Sequence, residues 1–396
     1  MCKTKTLFVL LLALRCVVSK TRVGIIGLPN VGKSTLFNAL ARKSLAQAAN
    51  FPFCTIEPNI APIAVPDAHL VRLAALANSR RAVPATIDWV DVAGLVRGAS
   101  RGEGLGNQFL ATARECNALC HVVRTFEDVD TIHVEGRVDP VADAEVINVE
   151  LILADLAHAA RRLEKTTCQG EERDALEAVV AVMEKGMPAR SAGLSAAAAF
   201  TVKSLGLLTL KPVLYAFNVD ECDFALDTDK ARKHAEAIFD SIQHSDPSTD
   251  AWAVVSAKLE AEVSQLSEDA QLAYLETCGM ESDGKPLDEA LSYNVLPTAV
   301  RSLLNLGLVF TGPGVPPERS RTTRAHLHKR GRLTAEALAG RIHGTIEKGF
   351  ITAEVAPAAD LLQHASFGAA REAGCVRTEG RTGALCDGDV VHVRWK

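Results

Sequence analysis

Short apolar runs punctuate the first third of the chain at the spacing of buried strands. Val23-Gly24-Ile25-Ile26 is the first, Ile87-Asp88-Trp89-Val90-Asp91-Val92 the second and Ala118-Leu119-Cys120-His121-Val122-Val123 the third. Helix-like stretches lie between them, and the alternation predicts an α/β fold built on a doubly wound parallel sheet. Two further runs, residues 211–217 and 251–255, extend that sheet. About ninety residues separate the third run from the fourth, more than a crossover needs, so a segment is inserted there.

The inserted segment has a helical rhythm. Val146, Val149, Leu153, Leu156, Ala160 and Leu163 fall three and four apart, the heptad spacing of a helix–helix seam. Gln169-Gly170 interrupts the pattern, Leu176, Val180 and Met183 resume it, and Gly186 and Pro188 end it. An antiparallel helical hairpin projecting from the sheet is expected. Beyond Asn305 the pattern changes again, with a turn-rich linker at residues 311–317 and a helical stretch at 334–347. Strand-like stretches at residues 351–355 and 389–395 complete a small mixed α+β unit. The expected division is a leader or extension at 1–20 and a nucleotide-binding domain at 21–136 and 207–304. The helical insert occupies 137–206 and a C-terminal domain 305–396.

Composition narrows this picture. The 396 residues are 48% apolar and 23% charged, which excludes a disordered chain. A formal net charge of −5 leaves no global positive field, so any nucleic-acid contact needs a local patch. The 10 cysteines include no C-x-x-C pair and fit reduced thiols better than a zinc or disulfide framework. Residues 1–20 carry Lys3, Lys5 and then an apolar run from Leu7 to Leu14. They have the order of a targeting leader and are too short to span a membrane stably, and a plain N-terminal extension remains open. The compartment therefore stays undetermined between the cytoplasm and an organelle.

The chemistry begins at Gly27-Leu28-Pro29-Asn30-Val31-Gly32-Lys33-Ser34, a complete G-x-x-x-x-G-K-[ST] loop between a strand and a helix start. Backbone N–H groups around Asn30, Val31, Gly32 and Thr35 are placed to cradle phosphates. Lys33 would reach the β- and γ-phosphates, as the catalytic lysine, and the Ser34 hydroxyl would ligate Mg²⁺. Asp91-Val92-Ala93-Gly94 is a D-x-x-G at a strand end: Asp91 would hold Mg²⁺ through a water, and the Gly94 N–H would sense the γ-phosphate. Leu95 follows, where Ras-like enzymes have a water-orienting glutamine. Thr55, between two prolines, is the candidate threonine that closes on Mg²⁺. Asn218-Val219-Asp220-Glu221 stands where guanine readers have N-K-x-D, and the displaced carboxylate relaxes the demand for guanine. Ser256-Ala257-Lys258 resembles the loop that supports the base through backbone contacts.

Residues 23–40, 50–59, 90–110 and 218–221 together resemble the YchF/Obg-like ATPase family of translation-factor-related P-loop NTPases, and the resemblance runs from Thr21 to Lys396. It is most specific at Phe51-Pro52-Phe53-Cys54-Thr55-Ile56-Glu57-Pro58-Asn59 and at residues 94–100. The resemblance implies a coiled-coil insertion, a C-terminal ubiquitin-like β-grasp (TGS) domain, ATP preferred over GTP, and association with ribosomes. It also implies a hydrophobic residue at Leu95, a glutamate at Glu221, and a loop histidine linked to hydrolysis, whose place His133 occupies. Two stretches depart from the pattern: Arg324-Ala325-His326, where the family has R-A-W, and Ile342-His343-Gly344-Thr345-Ile346, where it has I-H-x-D-F.

The expected function is a Mg²⁺-dependent ATPase acting as a slow conformational switch. The alternatives are an Obg-type GTPase and a nucleotide-dependent binding module with little turnover. Arg319, Arg321, Arg324, Lys329, Arg330 and Arg332, with His326 and His328, form a candidate patch for ribosomal RNA.

Overall fold

The computed structural model describes residues 20–48, 59–92, 105–128, 136–226, 228–278, 291–314 and 321–396. Two six-stranded sheets organise them. The first contains β1 (Arg22–Ile26), β2 (Ile60–Ala64), β4 (Thr86–Asp91), β5 (Ala118–Arg124), β6 (Val213–Asn218) and β7 (Ala251–Val255), in the order β2-β4-β1-β5-β6-β7. Strand β2 runs antiparallel to β4, and the remaining pairs are parallel. Every residue of β5 and β6 is buried, which is why both read as unbroken runs: helices cover both faces of a parallel sheet. The chain leaves β1 toward one side of the sheet and β5 continues the other, so the C-terminal ends of these two strands form a topological switch point.

The insertion is a helix pair, Pro140–Leu163 and Glu171–Met183. Asp139 caps the first helix by accepting the Ala142 N–H at 3.1 Å, with Pro140 at the first helical position. The expected heptad face is the buried one only in part: Val146, Leu156 and Leu163 are half-buried against the cores, and Leu176 and Met183 are buried. Val149 and Leu153 are 43% and 39% exposed and Ala160 is exposed, while Ala144, Ile147, Leu151, Ile152 and Ala159 are buried. The reason is that one helix serves two cores. Ala144, Ile147 and Leu151 pack into the sheet's core, whereas Ile152 and Ala159 join Leu176, Val179 and Met183 in a core belonging to the helix pair.

The second sheet has the order β11-β10-β12-β8-β9-β3. Its members are β8 (Leu306–Thr311), β9 (Thr322–Lys329), β10 (Phe350–Pro357), β11 (Arg377–Glu379) and β12 (Asp389–Trp395), joined by β3 (Arg81–Val83) from the first third of the chain. Strand β3 pairs parallel with β9, with Arg81 opposite Thr322 and Val83 opposite Arg324. The Ser79 and Thr323 hydroxyls meet at 2.8 Å beside that pairing. The helix expected over 334–347 is split at His343 into Ala335–Ile342 and Gly344–Lys348. His343 is extended, and its Nδ1 accepts the Thr345 N–H, restarting the helix. Among the described residues no helix is long and apolar enough to cross a membrane. The apolar run Leu7–Leu14 and the linker beyond Gly314 lie outside the described residues.

Candidate nucleotide site

The phosphate loop leaves β1 at the switch point, and its two glycines are required by space. Gly27 has φ +146°, and a Cβ there would sit 2.4 Å from the Val122 carbonyl oxygen. Gly32 has φ +95°, and its Cβ would sit 2.4 Å from Asn218 Nδ2. Asn30 takes φ +62°, a left-handed conformation that Asn tolerates. The Leu36 N–H donates to the Gly32 carbonyl at 2.9 Å, starting the helix Lys33–Ala48. Val31 is buried, which orients the loop, and Ser34 and Thr35 are exposed at the helix start.

Lys33 is only 7% exposed, and its Nζ donates to the Leu28 carbonyl at 2.5 Å. Burial pulls its pKa down to about 8, with Asp91 opposing. Burial also raises the Asp91 carboxyl, against the Lys33 charge and a hydrogen bond with Ser34. Ser34 and Asp91 are thus brought together beside the lysine, a pair of hard oxygen donors of the kind Mg²⁺ takes. Thr55, Gly94, Leu95 and His133 lie outside the described residues.

At the far end of β6, Asn218 ties three segments together. Its Nδ2 donates to the Val31 carbonyl at 3.0 Å, and its Oδ1 accepts the Ala257 N–H at 2.8 Å. The Val219 N–H donates to the Val255 carbonyl at 2.9 Å, and Val219 itself is buried. Glu221 opens the helix Glu221–Leu226, and its Oε1 accepts from Lys258 Nζ at 2.7 Å. Its other oxygen, Oε2, is buried without a partner, as is the Ser256 hydroxyl.

Three features here have no local sequence signal. His121 reads as part of a core strand, yet it lies in the field of Lys33, and burial drives its pKa down to about 3, so it is neutral. Arg124, 1% exposed, donates to the Phe126 and Asp128 carbonyls and so fixes the chain just before the His133 segment. The Lys258 side chain, read from sequence only as part of a backbone loop, holds Glu221.

In the C-terminal patch, Arg321, Arg324, Lys329, Arg330 and Arg332 are exposed, and Arg319 lies outside the described residues. Arg330 is committed to Asp387 at 2.6 Å. The two histidines add no charge: burial takes His326 down to about 3 and lowers His328.

A glycine-bounded phosphate loop at the switch point of a parallel sheet, with a lysine and a strand-end aspartate beside it, defines a P-loop NTPase of the GTPase-like class. Residues 22–158 match a family described as "50S ribosome-binding GTPase", and residues 320–396 match a YchF C-terminal family described as "protein of unknown function". "Ribosome-binding ATPase YchF" of Bacillus subtilis is 39% identical, covering 94% of this chain and 98% of the relative. Its namesakes in Haemophilus ducreyi and Escherichia coli are 41% and 40% identical over 94% of this chain, covering 99% and 98% of those proteins. The solved structure of the Schizosaccharomyces pombe YchF GTPase superposes with a TM-score of 0.77 at 31% identity, covering 95% of this chain and 98% of that one. The chain belongs to the YchF family.

Proposed function

We propose that the protein is a Mg²⁺-dependent ATPase that works as a slow conformational switch on the ribosome. The observation that carries the proposal is the buried Lys33 beside the Ser34–Asp91 pair, in a chain whose relatives at about 40% identity are named ribosome-binding ATPases. In this reading the N–H groups of Asn30 to Thr35 and the Lys33 ammonium hold the phosphates. Ser34, with Asp91 through a water, holds the cation, and Thr55 and Gly94 close on it. When bound, Mg²⁺ would supply positive charge against the negative charge that develops on the phosphates. His133 is the proposed group for positioning the attacking water, since Leu95 cannot.

Asn218, Val219, Glu221, Ser256 and Ala257 form the base end. Adenine offers an acceptor at N1 where guanine offers a donor, so a reader without a free two-oxygen acceptor favours ATP over GTP. The helix pair and the C-terminal sheet would carry the nucleotide state to ribosomal RNA, with Arg321, Arg324, Lys329 and Arg332 available for phosphate contacts. The relatives described as GTPases favour a second reading in which GTP is the substrate. Competition binding of ATP and GTP separates the two, and phosphate release with and without ribosomes separates a switch from a binding module. ATP should bind at least as well as GTP, and ribosomes should raise turnover. A tenfold preference for GTP would overturn the ATPase reading.

A further inference from the structure

A carboxylate that selects guanine does so with both oxygens, one for N1–H and one for the N2 amine. Glu221 does not have both to give. Oε1 is taken by the Lys258 ammonium at 2.7 Å, and Oε2 is buried without a partner. The pairing is set by the fold. Asn218 binds the Ala257 N–H at 2.8 Å, which brings the loop carrying Lys258 against the start of the helix that carries Glu221. Lys258 is 66% exposed, so its own side chain is not needed for the core, whereas Glu221 is 28% exposed and held in place. Asp220 and Glu262 add negative charge around the ammonium and keep it at this edge.

We propose that Lys258 is a specificity-determining residue: by holding Glu221 Oε1 it denies guanine its two-oxygen acceptor and so tilts the site toward adenine. The inference rests on reading this end of the first sheet as the base site. Lys258 acts through Glu221 and is a positioning residue. An exposed ion pair is a modest device, so the effect on base preference is correspondingly modest.

The test uses the full chain with Mg²⁺ and competes ATP and GTP separately against a fluorescent adenine nucleotide. Lys258→Met keeps the stem and removes the charge. It should move the ATP:GTP affinity ratio toward GTP by about two- to fivefold. Lys258→Arg should restore the parent ratio. In a Glu221→Gln background, Lys258→Met should leave the ratio unchanged, because the group through which it acts is gone. Raising the salt concentration should mimic Lys258→Met in the parent and do nothing in the variant, since the shared triphosphate cancels from the ratio and the exposed pair is screened. An unchanged ratio in Lys258→Met, with both nucleotides still bound, overturns the inference. So does an equal shift with and without Glu221, which would mean that Lys258 acts on the base directly. If the parent binds neither nucleotide, the reading of the site itself fails, and that result is distinguishable from both.

Discussion

At the root of the helical insertion, Asp155 is fully buried and accepts three hydrogen bonds, from Arg114 at 2.7 Å, the Thr209 N–H at 2.7 Å and the Thr209 hydroxyl at 2.8 Å. In the nucleotide cradle, Lys33 is almost as buried and donates to one carbonyl. The contrast extends to their neighbours. Asp250 near the root accepts from Arg190, the Val213 N–H and the Asp246 N–H. In the cradle, one oxygen of Glu221 and the hydroxyl of Ser256 have no partner. Buried polar groups are ordinarily satisfied, so the carboxylates of Asp155 and Asp250, with both oxygens of each paired, mark a joint that holds the fold, while the incompletely paired groups lie where the proposed ligand site would use them.

Removing charge should therefore have opposite consequences in the two regions. The largest effect belongs to the root. Asp155→Ala leaves Arg114 and Thr209 facing a void and should cost about 3–5 kcal/mol of stability in a denaturant titration. A loss below about 1 kcal/mol would erase the distinction between the two regions.

Glu260, in the helix Ala257–Val263, sharpens the contrast through pH. It is 4% exposed, its carboxyl accepts the Ser292 N–H at 2.5 Å, and burial pushes its pKa up to about 7, with Lys43 opposing. A carboxyl with a raised folded pKa favours the protonated form in the fold. Its stabilising effect is complete below about pH 4.5, falls as pH rises to about 7, and is flat above, by on the order of 3 kcal/mol. Glu260→Gln keeps an acceptor for Ser292 and cannot ionise, so it should be more stable than the parent at pH 8 and nearly equal at pH 4.5. Chemical denaturation at the two pH values checks this, and parallel profiles for parent and variant would refute it.

The smallest of the three effects falls on Lys33. Lys33→Ala should weaken ATP binding by about 1.5–3 kcal/mol, or roughly 10- to 150-fold, the range for hydrogen bonds to charged groups. Its stability without nucleotide should be unchanged or higher, because a desolvated ammonium with one partner is lost. Nucleotide titration and thermal melting of the same preparation decide it. A large drop in melting temperature without nucleotide would place Lys33 with Asp155 instead.

The sequence shows what is local and continuous. The unbroken runs of β1, β4, β5, β6 and β7 and the phosphate loop between β1 and its helix are legible because strand burial and loop chemistry act over a few neighbouring residues. The buried face of the helix Pro140–Leu163 is legible only in part. Periodicity counts the apolar faces without saying which partner each one meets. Here small residues such as Ala144 and Ala159, together with paired Asp155, occupy the buried side, while Val149 and Leu153 stay outside. The Lys258–Glu221 pair joins residues 37 apart in sequence, and nothing in either local pattern announces it. His326 and His328 read as additions to a cationic patch, but burial and the neighbouring arginines in the fold lower both and disfavour their charged forms. Strand β3 is three residues long and all three positions are exposed or half-exposed, too little pattern to be recognised before its partner is known.

That partner arrives late. Ser79 and Thr323 are 244 residues apart, so β3 leaves the exit tunnel long before β9 has been translated. At ordinary elongation rates the interval is roughly tens of seconds. During that time the first sheet can complete itself, since all of its strands precede β8. The C-terminal sheet can gain its outer edge only by docking onto a segment that has already been waiting. The nascent chain therefore matures from its beginning toward its end, while three residues near its start wait for a partner strand from its last quarter and then tie the two ends of the chain together.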